Sequence, residues 1–417
     1  MKAVPPQRDG PRPFSYPQAL AWLYSLQRFG IKLGLENIQR LIRELDVDLS
    51  NARVIHVAGT NGKGSVCAMI DSICRTQKYR TGLFISPHLV TFRERIRVNG
   101  KMISENEVAA GLTNIRKLVA DWDPHPTFFE IATARALKHF AEAKIDIVVL
   151  ETGLGGRLDA TNAIQSDVAV ITPIALDHKK WLGDSLEKIA SEKAGIIKPR
   201  TPVVSAPQLP EAETVIRARA AECDAPLRFV DEAYDKSPIA LRGEHQKLNA
   251  AVAIAAIGAA KIDIDESAIA RGLATVEWPG RFQCWDKRTI IDGAHNPSAA
   301  KILADTWREI FGDERATLIL AILSDKDLRK ICEELTPIAD SILLPKIQSE
   351  RAVHPAELQK IFRDLGLNSE IFVSFGEALA KGRERSAPML ITGSLHFAGE
   401  ALALLQGKPA AFEECAQ

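Results

Sequence analysis

The 417-residue sequence has no apolar run near the ~18–20 residues that a membrane-spanning helix needs. It has no surplus of either charge, because 53 Lys and Arg balance 53 Asp and Glu. A chain devoted to nucleic acid usually carries a basic excess, so neither nucleic acid nor membrane is expected among its partners. Its six cysteines, at positions 67, 74, 223, 284, 332 and 415, form no CxxC or CxH cluster. That disfavours a zinc site or a disulfide framework and leaves them as small apolar side chains. The opening MKAVPPQRDGPRPF has no apolar core and too many prolines for a secretory signal. The expected compartment is the cytoplasm.

What is present is an ordinary globular composition, 46% hydrophobic and 25% charged, which excludes a wholly disordered chain. The length predicts two or three domains, and the pattern favours two. An amphipathic opening runs from Tyr16 to about Leu45. Arg53–Ala58, Tyr79–Ile85, Asp146–Leu150 and Asp167–Ile171 read as strands, and the last two lack polar alternation, as expected when both faces are buried. Residues 63–77, 127–143, 249–261 and 266–274 read as helices. Pro279 and Gly280 punctuate the chain, and a second strand set follows at 289–291, 317–322, 341–344, 370–373 and 389–392. The expected fold is α/β: a mostly parallel, P-loop-type sheet domain over 1–278 with an N-terminal helical segment, and a smaller Rossmann-like domain over 279–417.

The strongest chemical signal is GTNGKGS, Gly59–Ser65, between a strand and a helix. Small residues there let backbone N–H groups face phosphate oxygens, aided by the helix N-terminus. Lys63 would bring a cation to the β/γ-phosphates and Ser65 a hydroxyl to Mg²⁺. The strict G-x-x-x-x-G-K-[ST] pattern is not met, because Gly64 stands where a hydroxyl residue belongs. Glu151 ends a buried strand, where parallel sheets bind ligands, and a second glycine-rich turn follows it. A carboxylate there commonly holds Mg²⁺. His178 can complete a metal sphere, although a lone His is more often structural. Lys193 reads on spacing alone as a solvated helix lysine.

Eight segments occur in order: GTNGKGS, SPHL (Ser86–Leu89), TFFE (Thr127–Glu130), ETGLGGRLDATN (Glu151–Asn162), LDH (Leu176–His178), SEKAGI (Ser191–Ile196), PGRF (Pro279–Phe282) and DGAHNP (Asp292–Pro297). Together they resemble the dihydrofolate synthase/folylpolyglutamate synthase family, a branch of the ATP-dependent Mur ligases, over roughly residues 16–400. The departure from the strict phosphate loop fits, because that family carries G-T-N-G-K-G-[ST].

The resemblance implies roles. Asn61, Gly62, Lys63, Gly64 and Ser65 would wrap the ATP phosphates, with Asn249 near the adenine, Asp292 near the ribose and Arg281 reaching the γ-phosphate. Ser86, Glu151 and His178 match Mg²⁺ ligands, with Ser65 close by. Lys193 matches a lysine that becomes carbamylated on Nζ and then acts as an oxygen ligand. His295 matches a C-terminal group facing the nucleotide. Ser86, Pro87, His88, Thr127, Phe128, Phe129, Glu130, Leu158, Asp159 and Ala160 match positions around the pterin substrate. Helix periodicity makes at least one of Phe128 and Phe129 core. Ile31–Asn37 resembles a segment near the same pocket, and Lys179-Lys180 stands where a glutamate tail would be favoured or where charge is simply solvated.

The implied reaction is ATP-dependent ligation of L-glutamate to 7,8-dihydropteroate and to the tail of reduced folates, through an acyl phosphate. A folylpolyglutamate synthase alone is the alternative. Implied cofactors are ATP and Mg²⁺, with room for a monovalent cation such as K⁺. The partners are small molecules, and the chain is expected to be a monomer. A peptidoglycan-type Mur ligase is less favoured, since about 50 residues before Val54 are too few for its extra domain. A non-catalytic ATP-binding protein should have lost Lys63, Glu151, His178 or Arg281. A generic P-loop kinase would lack the LDH, SEKAGI and DGAHNP segments.

Overall fold

The computed structural model describes residues 13–29 and 34–414. Cys415 and residues 31–33 of the Ile31–Asn37 segment lie outside them. Two sheets are present. The first contains β1 (Arg53–Ala58), β2 (Thr81–Phe84), β3 (Ile96–Val98), β4 (Lys101–Met102), β5 (Ile147–Glu151), β6 (Val168–Ile171), β7 (Val203–Ser205) and β8 (Leu227–Phe229). Their order is β4-β3-β2-β5-β1-β6-β7-β8, parallel from β2 to β8 with an antiparallel β3–β4 edge. The second contains β9 (Gln283–Cys284), β10 (Thr289–Ile291), β11 (Ala316–Leu320), β12 (Ala339–Pro345), β13 (Ser369–Phe372) and β14 (Met389–Thr392). Their order is β13-β12-β11-β14-β10-β9, and only β9 is antiparallel. This is the expected α/β class, with a large, mostly parallel N-terminal sheet and a smaller C-terminal one.

Each central strand is apolar on both faces because helices cover both. Val148 and Leu150 join the core beneath the helices Tyr16–Ser25, Glu36–Glu44, Glu105–Leu118 and Phe128–Glu142. Ile147 and Val149, pointing the other way, join the core beneath Lys63–Thr76 and His245–Ala259. The amphipathic opening over 16–45 holds the helices Tyr16–Ser25 and Glu36–Glu44. The C-terminal sheet repeats the scheme, with Leu318 and Leu390 on one face and Ile319 and Ile391 on the other. Among the described residues no helix is long and apolar enough to cross a membrane.

Parallel strands end on one side of each sheet, so the loops after β1, β2, β5 and β6 converge there. The pairing of Val57 with Glu151 sets the carboxylate one strand from the phosphate loop. The C-terminal loops after β10, β11 and β14 supply Asp292–Asn296, Leu323–Asp327 and Ser394–His396 to the same cleft.

Candidate active site

One cavity of about 940 Å³ occupies this cleft, and every site residue singled out in the sequence lines it. Its floor is the phosphate loop. Gly62 caps the helix Lys63–Thr76 with φ +87°, and a Cβ there would stand 2.9 Å from Asn249 Oδ1. Gly64 lies under the Trp278 indole, where a Cβ would approach Nε1 to 2.8 Å. A bulkier hydroxyl residue has no room there, which accounts for the departure from the strict phosphate-loop pattern. The first turn of this helix leaves its N–H groups for an anion. Lys63 Nζ donates to the carbonyls of Gly59 (3.2 Å) and Thr60 (3.3 Å), which fixes the ammonium beside the loop.

Glu151 and Ser86 stand over this floor. Both are buried. The Ser86 N–H donates to Glu151 Oε2 at 3.3 Å, while Ser86 Oγ has no hydrogen-bond partner among the described residues. Burial pushes the Glu151 carboxyl up, opposed by the Lys63 charge, the Ser86 N–H and Arg281. A buried hydroxyl without a partner beside a buried carboxylate is an oxygen-donor set suited to Mg²⁺. Buried Ser65 lies within 3.5 Å of Gln246 Nε2. Among the described residues no three His, Cys, Asp or Glu side chains form a metal site by themselves. The set fits an ion that also takes hydroxyl, phosphate and water oxygens.

His178 follows β6 in a left-handed conformation, φ +50°. Desolvation in the cleft lowers its imidazole to about 4, with Lys326 and His295 adding to the effect and Asp177 opposing it, so its ring is neutral at pH 7. Lys193, at the end of the helix Leu186–Ala194, is buried. Burial, helped by the Lys63 charge, lowers its amine to about 7.

Several side chains matched to substrate contacts also hold the loops that carry them. Thr127 and Glu130 close a capping box: Glu130 Oε2 accepts from Thr127 N (2.8 Å) and Oγ1 (2.9 Å). Asp159 accepts from the N–H groups of Gly153, Leu154 and Thr161, and from Thr161 Oγ1. His88 Nδ1 accepts from Arg95 Nε at 2.8 Å and its Nε2 donates to the Glu413 carbonyl at 3.0 Å. Both Asp292 oxygens accept backbone N–H groups, from Phe282 and Ala294 at 2.8 Å. Asn249 Nδ2 donates to Gln246 Oε1 at 3.0 Å. Of the two phenylalanines, Phe128 is buried and stacked on Tyr24 at 5.6 Å, whereas Phe129 is partly exposed, tilted on Phe84 and set over Gly153. Phe128 is therefore the core residue of the pair, and Phe129 offers the flat face.

Residues that sequence reasoning did not single out complete the wall. Asp177, Asn296 and Lys326 line the cavity. Burial raises the Asp177 carboxyl, but the hydrogen bond and charge of His295, with His178 and Lys326, outweigh it and hold it well below the usual carboxylate range. Asp177 lies within the LDH match but had no role assigned to it, whereas Lys326 sits in a charged Asp325-Lys326-Asp327 run that reads as solvated surface.

Two family models match the chain: the Mur ligase middle domain over residues 57–204 and the Mur ligase glutamate ligase domain over 280–395. The dihydrofolate synthase/folylpolyglutamate synthase of Bacillus subtilis is 35% identical, covering 92% of this chain and 97% of its own. The structure of Escherichia coli FolC in complex with DHPP and ADP superposes with a TM-score of 0.84 at 33% identity, covering 96% of this chain and 99% of that one. The bifunctional folylpolyglutamate synthase/dihydrofolate synthase of Yersinia pestis, complexed with AMPPNP and Mn ion, gives a TM-score of 0.86 at 31% identity, covering 97% and 100%.

Proposed function

This chain belongs to the dihydrofolate synthase/folylpolyglutamate synthase family of Mur ligases, and we propose that it joins L-glutamate to 7,8-dihydropteroate and to the glutamate tail of reduced folates at the expense of ATP. The observation that carries this reading is Glu151, held by the Ser86 N–H beside a buried Ser86 hydroxyl that lacks a partner among the described residues, one strand from the phosphate loop.

The residues divide the work. The backbone of Asn61–Ser65 and the Lys63 ammonium hold the ATP phosphates, and Arg281, from the C-terminal side of the cleft, adds a second cation. Transfer of the γ-phosphoryl to a substrate carboxylate needs positive charge and in-line placement rather than a protein nucleophile. Glu151, Ser86, His178 and Ser65 would hold Mg²⁺, which would supply further positive charge to the phosphoryl oxygens. Phe129 flanks the pterin ring, while Thr127, Glu130, Leu158, Asp159 and Ala160 shape its pocket, and Pro87 and His88 hold the loop that bears Ser86. Lys193, once carbamylated, offers oxygen in place of a cation. Attack of the glutamate amine on the resulting acyl phosphate forms the amide and releases phosphate and a proton, and cleft walls from both sheets exclude the water that would hydrolyse the acyl phosphate. Asn249 and Asp292 face the nucleoside, and His295 lies where the amine approaches. The chain divides functionally at 278/279, and the reading carries a cytoplasmic monomer whose partners are small molecules, supported by balanced charge and by a separate core for each sheet.

The test is an ATP- and Mg²⁺-dependent assay with labelled L-glutamate, run on dihydropteroate and on reduced folate. Label in both products is expected. Label from reduced folate alone narrows the enzyme to a folylpolyglutamate synthase, and label in neither overturns the reading. Lys63→Ala and Glu151→Gln should each lower kcat by roughly 10²–10³-fold with the fold retained.

A further inference from the structure

Asp177 is a carboxylate on which the two halves of the cleft meet. It lies in the loop after β6 of the first sheet, whereas Lys326, His295 and Asn296 lie in loops of the second. Lys326 Nζ stands 2.8 Å from Asp177 Oδ1. On the other oxygen, Asn296 Nδ2 donates at 3.3 Å and His295 Nε2 stands 3.5 Å away. The His178 N–H donates to Oδ1 at 2.8 Å, so the oxygen that receives Lys326 also orients the next residue of the proposed metal set. The side chains of Asp177 and Lys326 are 8% and 7% exposed. A second rung lies beside the first: Asn61, in the phosphate loop, and Asn296 exchange amide hydrogen bonds at 3.1 and 3.4 Å.

A buried ion pair loses in desolvation much of what it gains in attraction. Its geometry therefore selects one arrangement of the two halves more than it adds stability. The selected arrangement matters here, because Arg281 and His295 come from the C-terminal side and Lys63 from the N-terminal side. A displacement of about 1 Å between reacting groups can cost 10²-fold in rate.

We propose that Asp177 and Lys326 form a latch that positions the C-terminal half of the cleft over the phosphate loop during glutamate transfer. Both are positioning residues, acting through His178, Asn296 and His295. The kinetic consequence rests on the ligase reading above, whereas the geometric one does not.

The experiment uses the full chain and four variants: Lys326→Met, Lys326→Arg, Asp177→Asn, and the Lys326→Met/Asp177→Asn double. Small-angle scattering reads the separation of the halves without any turnover. The radius of gyration should rise in both neutral single variants, rise no further in the double, and stay near wild type in Lys326→Arg. In the glutamate-incorporation assay, kcat should fall roughly 10- to 100-fold in each single, with the double no worse than the single. Nucleotide affinity, measured by ADP binding with Mg²⁺, should change less than about threefold. Lys326→Arg should recover most of kcat.

Unchanged scattering in Lys326→Met overturns the latch, as do additive kinetic losses in the double. A fall in ADP affinity parallel to kcat also overturns it, by making Lys326 a nucleotide contact. Should Lys326→Met fail to fold, Asp177→Asn, which keeps the side-chain size, is read by the same criteria. An inactive wild-type protein would count against the ligase reading, while scattering still decides the latch.

Discussion

Lys193 Nζ donates a 2.6 Å hydrogen bond to the carbonyl oxygen of Gly59, 134 residues away at the start of the phosphate loop. The same carbonyl receives Lys63 at 3.2 Å. Two ammonium groups on one acceptor repel, and Lys193 is the buried one. Its amine is lowered to about 7, so near neutral pH about half of it is the uncharged nucleophile that adds to CO₂.

Lys193 should therefore carry a carbamate in bicarbonate buffer. The neutral fraction rises between pH 6 and 8, and carbamylation should rise with it. A carbamate carbon signal from labelled bicarbonate is the measurement, and Lys193→Arg should abolish both the signal and turnover. Lys193→Ala should recover part of its activity when acetate supplies a carboxylate. Full activity of an unmodified lysine in CO₂-free buffer would sink this role.

Phe128 and Phe129 are adjacent but should fail in different ways. Phe128 is buried, stacked on Tyr24 and edge-on to Phe92. Its replacement by Ala should cost about 3–5 kcal/mol of stability. Phe129 packs partly against Phe84 and faces the cavity, so Phe129→Ala should chiefly raise KM for the pterin substrate while KM for ATP holds. Thermal denaturation and substrate titration separate the two, and equal KM effects would refute the assignment.

The phosphate loop and its flanking elements were legible because β1 and β5 are apolar on both faces and a glycine run interrupts the pattern. β3, β4, β8 and β9 were not, because runs of two or three residues leave no period to read. The cleft residues were legible as motifs, but their division of labour was not. Nothing in SPHL shows that the His88 ring is spent on Arg95 and Glu413, whereas TFFE carries the T-x-x-E capping signature and was read only as a pterin-site match. Asp177 and Lys326 lie 149 residues apart in different sheets, and only the fold makes them partners.

The C-terminal segment should act as a strap on the loop that bears Ser86. Glu413 accepts from Tyr16 OH (3.0 Å), Thr91 Oγ1 (3.1 Å) and Phe92 N (2.6 Å), and its carbonyl holds His88. Glu413→Ala should lower stability by about 1–3 kcal/mol and speed amide exchange over residues 88–92. Glu414→Ala, at an exposed position, should change stability by less than about 0.5 kcal/mol. Equal exchange in the two variants would show that the strap does not order the loop.

His56 should make the N-terminal sheet acid-sensitive. It sits fully buried on β1 with Nε2 2.8 Å from Thr161 Oγ1. That hydroxyl already donates to Asp159 Oδ1 at 2.5 Å, so Nε2 is the donor. Nδ1 has no partner among the described residues, and a second proton there would be a buried cation. Burial, with the Lys198 charge, lowers the imidazole from 6.5 to about 3. Between these values the unfolded chain binds a proton that the folded chain refuses. Stability is therefore whole above pH 6.5 and falls as pH drops towards 3, by about 1.4 kcal/mol per unit and roughly 4–5 kcal/mol in all. His56→Gln keeps a donor towards Thr161 and does not titrate. Denaturation of the N-terminal transition, followed from pH 7 to 4, should show wild type losing stability against this variant across the window, and parallel curves would refute the assignment.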